Sequence, residues 1–147
     1  MKIIAITNAA HVVIEPEWLI HSEAVHRQLR PQLPADYDRR MKQVFASGAE
    51  MAICVREENV HGITVFRILE KTHSGRELYC DDLITDSTIR STGVGHALIA
   101  YMEAVARERD CDCLALDSGT QRDQAHKFYF REGLTVPAFH FSKAINK

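Results

Sequence analysis

Between Leu83 and Val105, in "LITDSTIRSTGVGHALIAYMEAV", the chain changes its hydrophobic period. A strand-like apolar run stops in a short polar bend, the bend closes on Gly93 and Gly95, and a helical pattern begins at once. Val94, Leu98, Tyr101, Met102 and Val105 share one face of that helix, with His96, Glu103, Arg107 and Glu108 opposite. Such a helix must lay its apolar stripe on a sheet. Its first N–H groups have no intrahelical partner, and the helix dipole puts partial positive charge at that end. An anion is the natural guest. Gly93 and Gly95 would clear side chains from the path of a phosphate, and Arg90 adds a fixed cation. A tight turn with close helix packing is the other reading of the same glycines. The Walker "GxxxxGK" and dinucleotide "GxGxxG" spacings are both absent.

The segments around this junction predict an order of elements. "KIIAIT" reads as a first strand, and Pro16 opens a helix through "EWLIHSEAVHRQL" that Pro31 stops. Pro34 begins a second helix that ends at Gly48. "EMAICVREE", "VHGITVFRILEK" and "RELYCDDLIT" read as a meander of three strands, the first two joined across Glu58-Asn59. After the helix from Gly93, "CDCLALDSG" reads as a strand buried on both faces, "DQAHKFYFRE" as a helix ended by Gly133, and "AFHFSKAI" as a closing strand. No repeat, linker or low-complexity segment interrupts this order.

With 147 residues, 46% of them hydrophobic and 26% charged, the chain has the balance of an ordinary globular domain and is read as one domain, 1–147. A net charge of -2 argues against nucleic acid or an anionic membrane as a partner held by bulk positive charge. No apolar run approaches the length of a membrane span, and the N-terminus does not read as a signal peptide. Cys54, Cys80, Cys111 and Cys113 lie in apolar or strand-like runs rather than in spaced loops, which points to a reducing, cytoplasmic compartment. Cys111 and Cys113 lack the second pair or histidine cluster of a zinc site, so no metal is expected.

"DLITDSTIRSTGVGHAL", Asp82 to Leu98, resembles the acyl-CoA motif of the GNAT superfamily of N-acetyltransferases, a "D-L-x-V" strand end running into "[QR]-x-x-G-x-[GA]". Arg90, Gly93 and Gly95 match fixed positions, and Thr85 stands where valine is usual. "AHKFYFREGL", Ala125 to Leu134, is similar to the family's "A-x-x-x-Y-x-x-x-G-[FL]" helix. The resemblance implies an α+β GNAT fold with a mostly antiparallel mixed sheet of six to seven strands and about four flanking helices. It implies an acyl-CoA-binding core over 76–134 and acceptor-side helices within 1–48. The backbone of Leu83, Ile84 and Thr85 would bind the pantetheine arm of acetyl-CoA, and Ser91, Thr92, Gly93, Val94, Gly95 and His96 would cradle the pyrophosphate beside Arg90. Where many members carry an asparagine ahead of the second motif this chain has Arg122, which could reach a phosphate instead.

The implied activity is transfer of an acetyl group to a primary amine. Tyr129 is expected beside the cofactor sulfur as the acid that protonates the leaving thiolate. Asp117, at the mouth of the "CLAL" strand, ranks first as general base, with Asp81 and Asp82 as competitors. His126 and His140 read as structural or wall residues, and Cys80 and Cys113 rank below them as nucleophiles. Glu15, Glu17, Trp18, Asp36 and Tyr37 could attract a small-molecule or peptide amine, though solvated helix faces explain them equally. The alternative function is a catalytically silent acyl-CoA sensor of the same fold. Exposed sheet edges would permit a homodimer.

Overall fold

The computed structural model describes residues 1–90 and 92–146. Its order is β1 (Lys2–Ala5), α1 (Pro16–His21), α2 (Glu23–Leu29), α3 (Tyr37–Ala46), β2 (Ala49–Arg56), β3 (Asn59–Lys71), β4 (Gly75–Thr85), α4 (Val94–Glu108), β5 (Cys113–Leu116) and α5 (Asp123–Arg131). The five strands form one sheet in the order β1-β2-β3-β4-β5. β1 to β4 pair antiparallel, while β5 joins β4 in parallel.

Three differences from the expected order have local causes. The first expected helix is broken at Ser22, whose hydroxyl donates to the Trp18 carbonyl at 2.7 Å and bends the chain between α1 and α2. The β2–β3 turn falls one residue early, at Glu57 and Glu58, which both take positive φ as a two-residue hairpin turn of the primed kind requires. The closing strand does not form: "AFHFSKAI" has no regular structure, so the described sheet has five strands instead of six or seven. The mixed α+β class stands.

Helices cover both faces of the sheet. On one face Leu19, Val25, Tyr37, Met41 and Phe45 of α1 to α3 bury Met51, Ile53 and Val55 of β2 with Ile63, Val65 and Ile84. On the other, Ile99, Met102 and Val105 of α4 bury Phe66, Leu78 and Cys80. Met51, Ile53 and Val55 belong to the first core and Cys54 packs with Val94 and Leu98 of α4, so β2 is apolar on both sides and its residues are almost all buried.

β4 carries a bulge that governs everything beyond it. Phe66 pairs with Cys80 and Val65 with Asp82, so Asp81 is the extra residue. Both carboxylates therefore reach the face covered by α1 to α3, where Asp81 meets Arg67 and Asp82 meets His26 and Arg30. Beyond the bulge Leu83 packs toward α4 and Ile84 toward the α1 to α3 core.

Candidate active site

β4 and β5 stay together only from Glu77–Cys113 to Cys80–Leu116. From Asp81 onward β4 continues alone, and Leu83, Ile84 and Thr85 pair with Thr64, Ile63 and Gly62 of β3 on one side only. Backbone groups on their other side face a cleft of about 840 Å³ instead of a strand. A chain with alternating donors and acceptors could complete that edge.

The cleft continues to the start of α4. Asp86 accepts from the Thr88 N–H at 3.1 Å and caps a single 3-10 turn over Ser87–Ile89. Gln28 of α2 holds the same turn, its Oε1 accepting from the Ser87 N–H at 2.9 Å. Gly93 then caps α4 with φ +87°, a left-handed conformation that costs a side-chain-bearing residue about 1–2 kcal/mol. Among the described residues no side-chain cap hydrogen bond closes the start of this fifteen-residue helix.

Gly95 serves packing. A Cβ there would lie 2.9 Å from Cζ of Phe128, so its absence lets α5 close against the first turn of α4. His96 extends this junction, its Nδ1 lying 2.7 Å from Oε1 of Glu132. Arg90, Arg122 and Arg131 all line the cleft, with Asp123 and Glu132 as its acids. Arg131 was not singled out in the sequence; it lies nine residues after Arg122 on an exposed helix end, and no motif position marks it.

Of the residues expected at the cofactor, Leu83, Ile84, Thr85, Arg90, Gly93, Val94, Gly95, His96 and Arg122 line this one cleft, as does Tyr129. Thr92 does not line it and donates its hydroxyl to the Ile89 carbonyl at 2.8 Å. Ser91 lies outside the described residues.

Tyr129 sits on α5 facing the open edge of β4. Burial pushes its phenol above the ordinary tyrosine range, and the neighbouring Arg122 guanidinium only partly offsets this. It is therefore a neutral O–H donor at physiological pH. Asp117 is not in the cleft. It stands just past the end of β5, where Oδ2 lies 2.9 Å from Nδ1 of His140. Burial, reinforced by that carboxylate, holds the Tyr79 phenol in its neutral form. Tyr79 was missed in the sequence because a tyrosine in an alternating strand carries no mark of its neighbours on β5.

The competing bases are already engaged. Burial works to raise the Asp82 carboxyl, but hydrogen bonds and charge from His26 and Arg30 overcome it and hold it below the usual range. Asp81 goes the other way, raised by burial against the pull of Arg67. His126 is tied by Nε2 to the Gly119 carbonyl at 2.8 Å. Burial pushes the Cys80 thiol up to about 12, which removes the thiolate a nucleophile needs. Of the residues expected to attract an amine, Asp36 caps α3 by accepting from the Arg39 N–H at 3.1 Å, and Tyr37 is only 2% exposed.

All four cysteines are free thiols. Among the described residues no group of three or more His, Cys, Asp and Glu side chains is placed to hold a metal ion, and no helix is long and apolar enough to cross a membrane.

The sheet and helices that position this cleft form a fold shared with known acetyltransferases. The chain belongs to the acetyltransferase (GNAT) family, whose profile matches residues 18–133. It is 36% identical over 74 residues to the N-acetyltransferase YhdJ of Bacillus subtilis (strain 168), covering 50% of this chain and 52% of that protein. Over 64 residues it is 33% identical to the aminoalkylphosphonate N-acetyltransferase of Salmonella typhimurium, covering 44% of this chain and 42% of that one. The matches thus span about half the length of these relatives or less.

Among solved structures, the aminoglycoside N-acetyltransferase AAC(6')-Iy in complex with CoA superposes with a TM-score of 0.83 at 15% identity, over 99% of this chain and 95% of that one. The ribosomal-protein-alanine N-acetyltransferase of Brucella melitensis biovar Abortus 2308 gives 0.79 at 16% identity, over 99% of each chain. Likeness at this identity establishes the fold.

Proposed function

We propose that the chain transfers an acetyl group from acetyl-CoA to a primary amine by direct attack on the thioester. The observation that carries this reading is the continuity of one cleft. An unpaired strand edge at Leu83 to Thr85 runs into an uncapped helix start at Gly93, with Tyr129 facing it. Residues 76–134 form the cofactor core in this reading, and 1–48 the acceptor side.

The fit to the cofactor is chemical. A pantetheine arm carries amides that match a free strand edge, and a diphosphate matches free helix N–H groups flanked by Arg90, Arg122 and Arg131. The Cys80 thiol, with its high pKa, offers no competing covalent route.

In the reaction the neutral amine nitrogen attacks the thioester carbonyl carbon, and a backbone N–H near Leu83 or Ile84 stabilises the oxyanion. As the C–S bond breaks, Tyr129 gives its phenolic proton to the departing thiolate and later recovers one from solvent. The ammonium proton leaves through water to Asp117, which His140 holds at the mouth of β5. The products are the N-acetylated amine and free CoA thiol.

Aminoalkylphosphonates, aminoglycosides and ribosomal-protein alanine, which appear in the names of similar proteins, are the acceptors to test first. Calorimetry of the full chain with acetyl-CoA, followed by thiol release across a panel of these amines, decides the question. Tight binding with amine-dependent thiol release is the expected result. Binding with no release on any amine would instead support a silent acyl-CoA sensor, and absence of binding would end both readings.

A further inference from the structure

α1 to α3 do not cover the whole of their face of the sheet. Their core includes Ile84 but no other residue of β4 and none of β5. On the uncovered part lie Arg67 of β3 with Tyr79 and Asp81 of β4, since Phe66, Ile68, Leu78 and Cys80 between them turn to the α4 core. Arg67 and Asp81 are only partly shielded, at 24% and 27% exposed.

The two meet by one edge each. Nε of Arg67 donates to Oδ2 of Asp81 at 2.8 Å. Among the described residues Oδ1 of Asp81 has no hydrogen-bond partner, and the rest of the guanidinium reaches only the Ser47 hydroxyl, at 3.5 Å. A guanidinium can meet a carboxylate through two parallel bonds. Here the pair is single, leaving one acid oxygen and one edge of the fork unused. Burial raises the Asp81 carboxyl in spite of Arg67, so the acid remains short of counter-charge.

The pair stands beside the proposed chemistry. Asp81 is the bulge residue, next but one to Leu83, at the point where β5 has already parted from β4. Two strand residues span about 7 Å, so a group held at Asp81 is within reach of a thioester laid along the open edge. Tyr79, opposite Arg67 on β3 and Ala115 on β5, floors the ground between Asp81 and Asp117 with a neutral phenol.

We infer that the acceptor is a short zwitterion, a primary amine carrying an oxyanion such as a carboxylate or phosphonate on the same small molecule. Its oxyanion takes the free edge of Arg67 and its ammonium the free oxygen of Asp81, before the proton leaves toward Asp117. One such molecule completes both half-used groups. A bare amine leaves the Arg67 edge unmet, and a polycation brings its extra charges against Arg67 and the partly exposed Arg30. The inference rests on the proposed acetyl transfer to an amine.

Calorimetry of the full chain, with and without CoA, tests the subsite without turnover. β-Alanine, taurine and 2-aminoethylphosphonate should bind about 10- to 100-fold more tightly than the neutral-ended β-alaninamide and n-propylamine. Arg67→Gln should bring that ratio close to one, with Arg67→Lys intermediate because it keeps the charge and loses the fork. Asp81→Asn should instead weaken both sets together. CoA affinity and circular dichroism check the fold of each variant, and the unmodified protein supplies the ratio independently of them. No amine binding, or equal or reversed affinity for the two sets, would overturn the inference, as would a preference that survives in Arg67→Gln. The preference with no thiol release on any amine would strike the acetyl transfer and leave the subsite standing.

Discussion

His26 and Asp82 meet at 2.7 Å across the interface between α2 and β4, with the His26 ring only 1% exposed. The other ring nitrogen lies 2.8 Å from the Tyr37 hydroxyl, and Arg30 reaches the second Asp82 oxygen at 2.7 Å. Asp82 immediately precedes the open edge at Leu83, so helix α2 holds the strand from which the cofactor would hang. Removing Asp82 leaves a buried histidine and an arginine without their common partner. Asp82→Ala is expected to cost about 3 kcal/mol in urea unfolding, and a loss within 0.5 kcal/mol would show the pair to be ornamental.

The same residue sets an acid dependence. Its carboxyl is held below the unfolded value of about 3.9, so its contribution is complete above that pH and is lost as pH falls through the lower folded value. Glu77 behaves likewise: burial would raise it, but Lys71 and Ser74 bring it below the usual range. Asp82→Asn should flatten the acid limb of stability below about pH 4, measured as melting temperature against pH. An unchanged limb would assign acid unfolding elsewhere.

Tyr129→Phe keeps the ring and removes the proton. If the phenol protonates the thiolate, kcat should fall about 100- to 1,000-fold while acetyl-CoA affinity stays within about two-fold. Because burial raises the phenol, the unmodified enzyme should show no alkaline loss attributable to it below about pH 10. A fall in affinity with kcat intact would make Tyr129 a packing residue.

The two glycines should fail differently. Gly93→Ala meets no crowding but must adopt φ +87°, so it should destabilise by about 1–2 kcal/mol, with Gly93→Asn milder. Gly95→Ala instead pushes against Phe128 and should weaken CoA binding by displacing α5. Calorimetry and thermal melts on both variants separate the effects. Equal behaviour in the two assays would refute the distinction.

Arg131 gives the cleft its third cation. Arg131→Ala is expected to weaken CoA binding about 3- to 10-fold and to reduce its salt dependence. Dephospho-CoA should narrow the gap if the residue serves the 3'-phosphate. No change with either ligand would leave Arg131 a solvated helix end.

Much of this molecule is legible in its residues, for reasons that differ by element. The α4 stripe is long and strongly periodic, and Gly93 must break the strand pattern, so the junction at the cleft stands out. Ser22 is different: a serine inside a helical pattern bends it only when its hydroxyl turns to the backbone, which composition does not announce. The tail "AFHFSKAI" alternates like a strand and forms none, since alternation states a capacity to pair and does not name a partner. Asp117, ranked first as base, follows the last paired residue of β5 and does not line the cleft that Tyr129 lines. Asp82 was ranked as a base, and its partners are 56 and 52 residues away, beyond any local pattern.

The extra residue in β4 gives that strand one position of slack. Deleting one amino acid between Tyr79 and Leu83 would remove the bulge and leave a regular ladder, with Leu83 still toward α4 and Ile84 still toward α1 to α3, but with only one carboxylate left for the α2 side. Single-residue deletions should therefore be tolerated at the bulge and in the polar bend that follows, and excluded from the regular pairing before the bulge. A library of single-codon deletions across 77–92, sorted by solubility, would trace that boundary residue by residue.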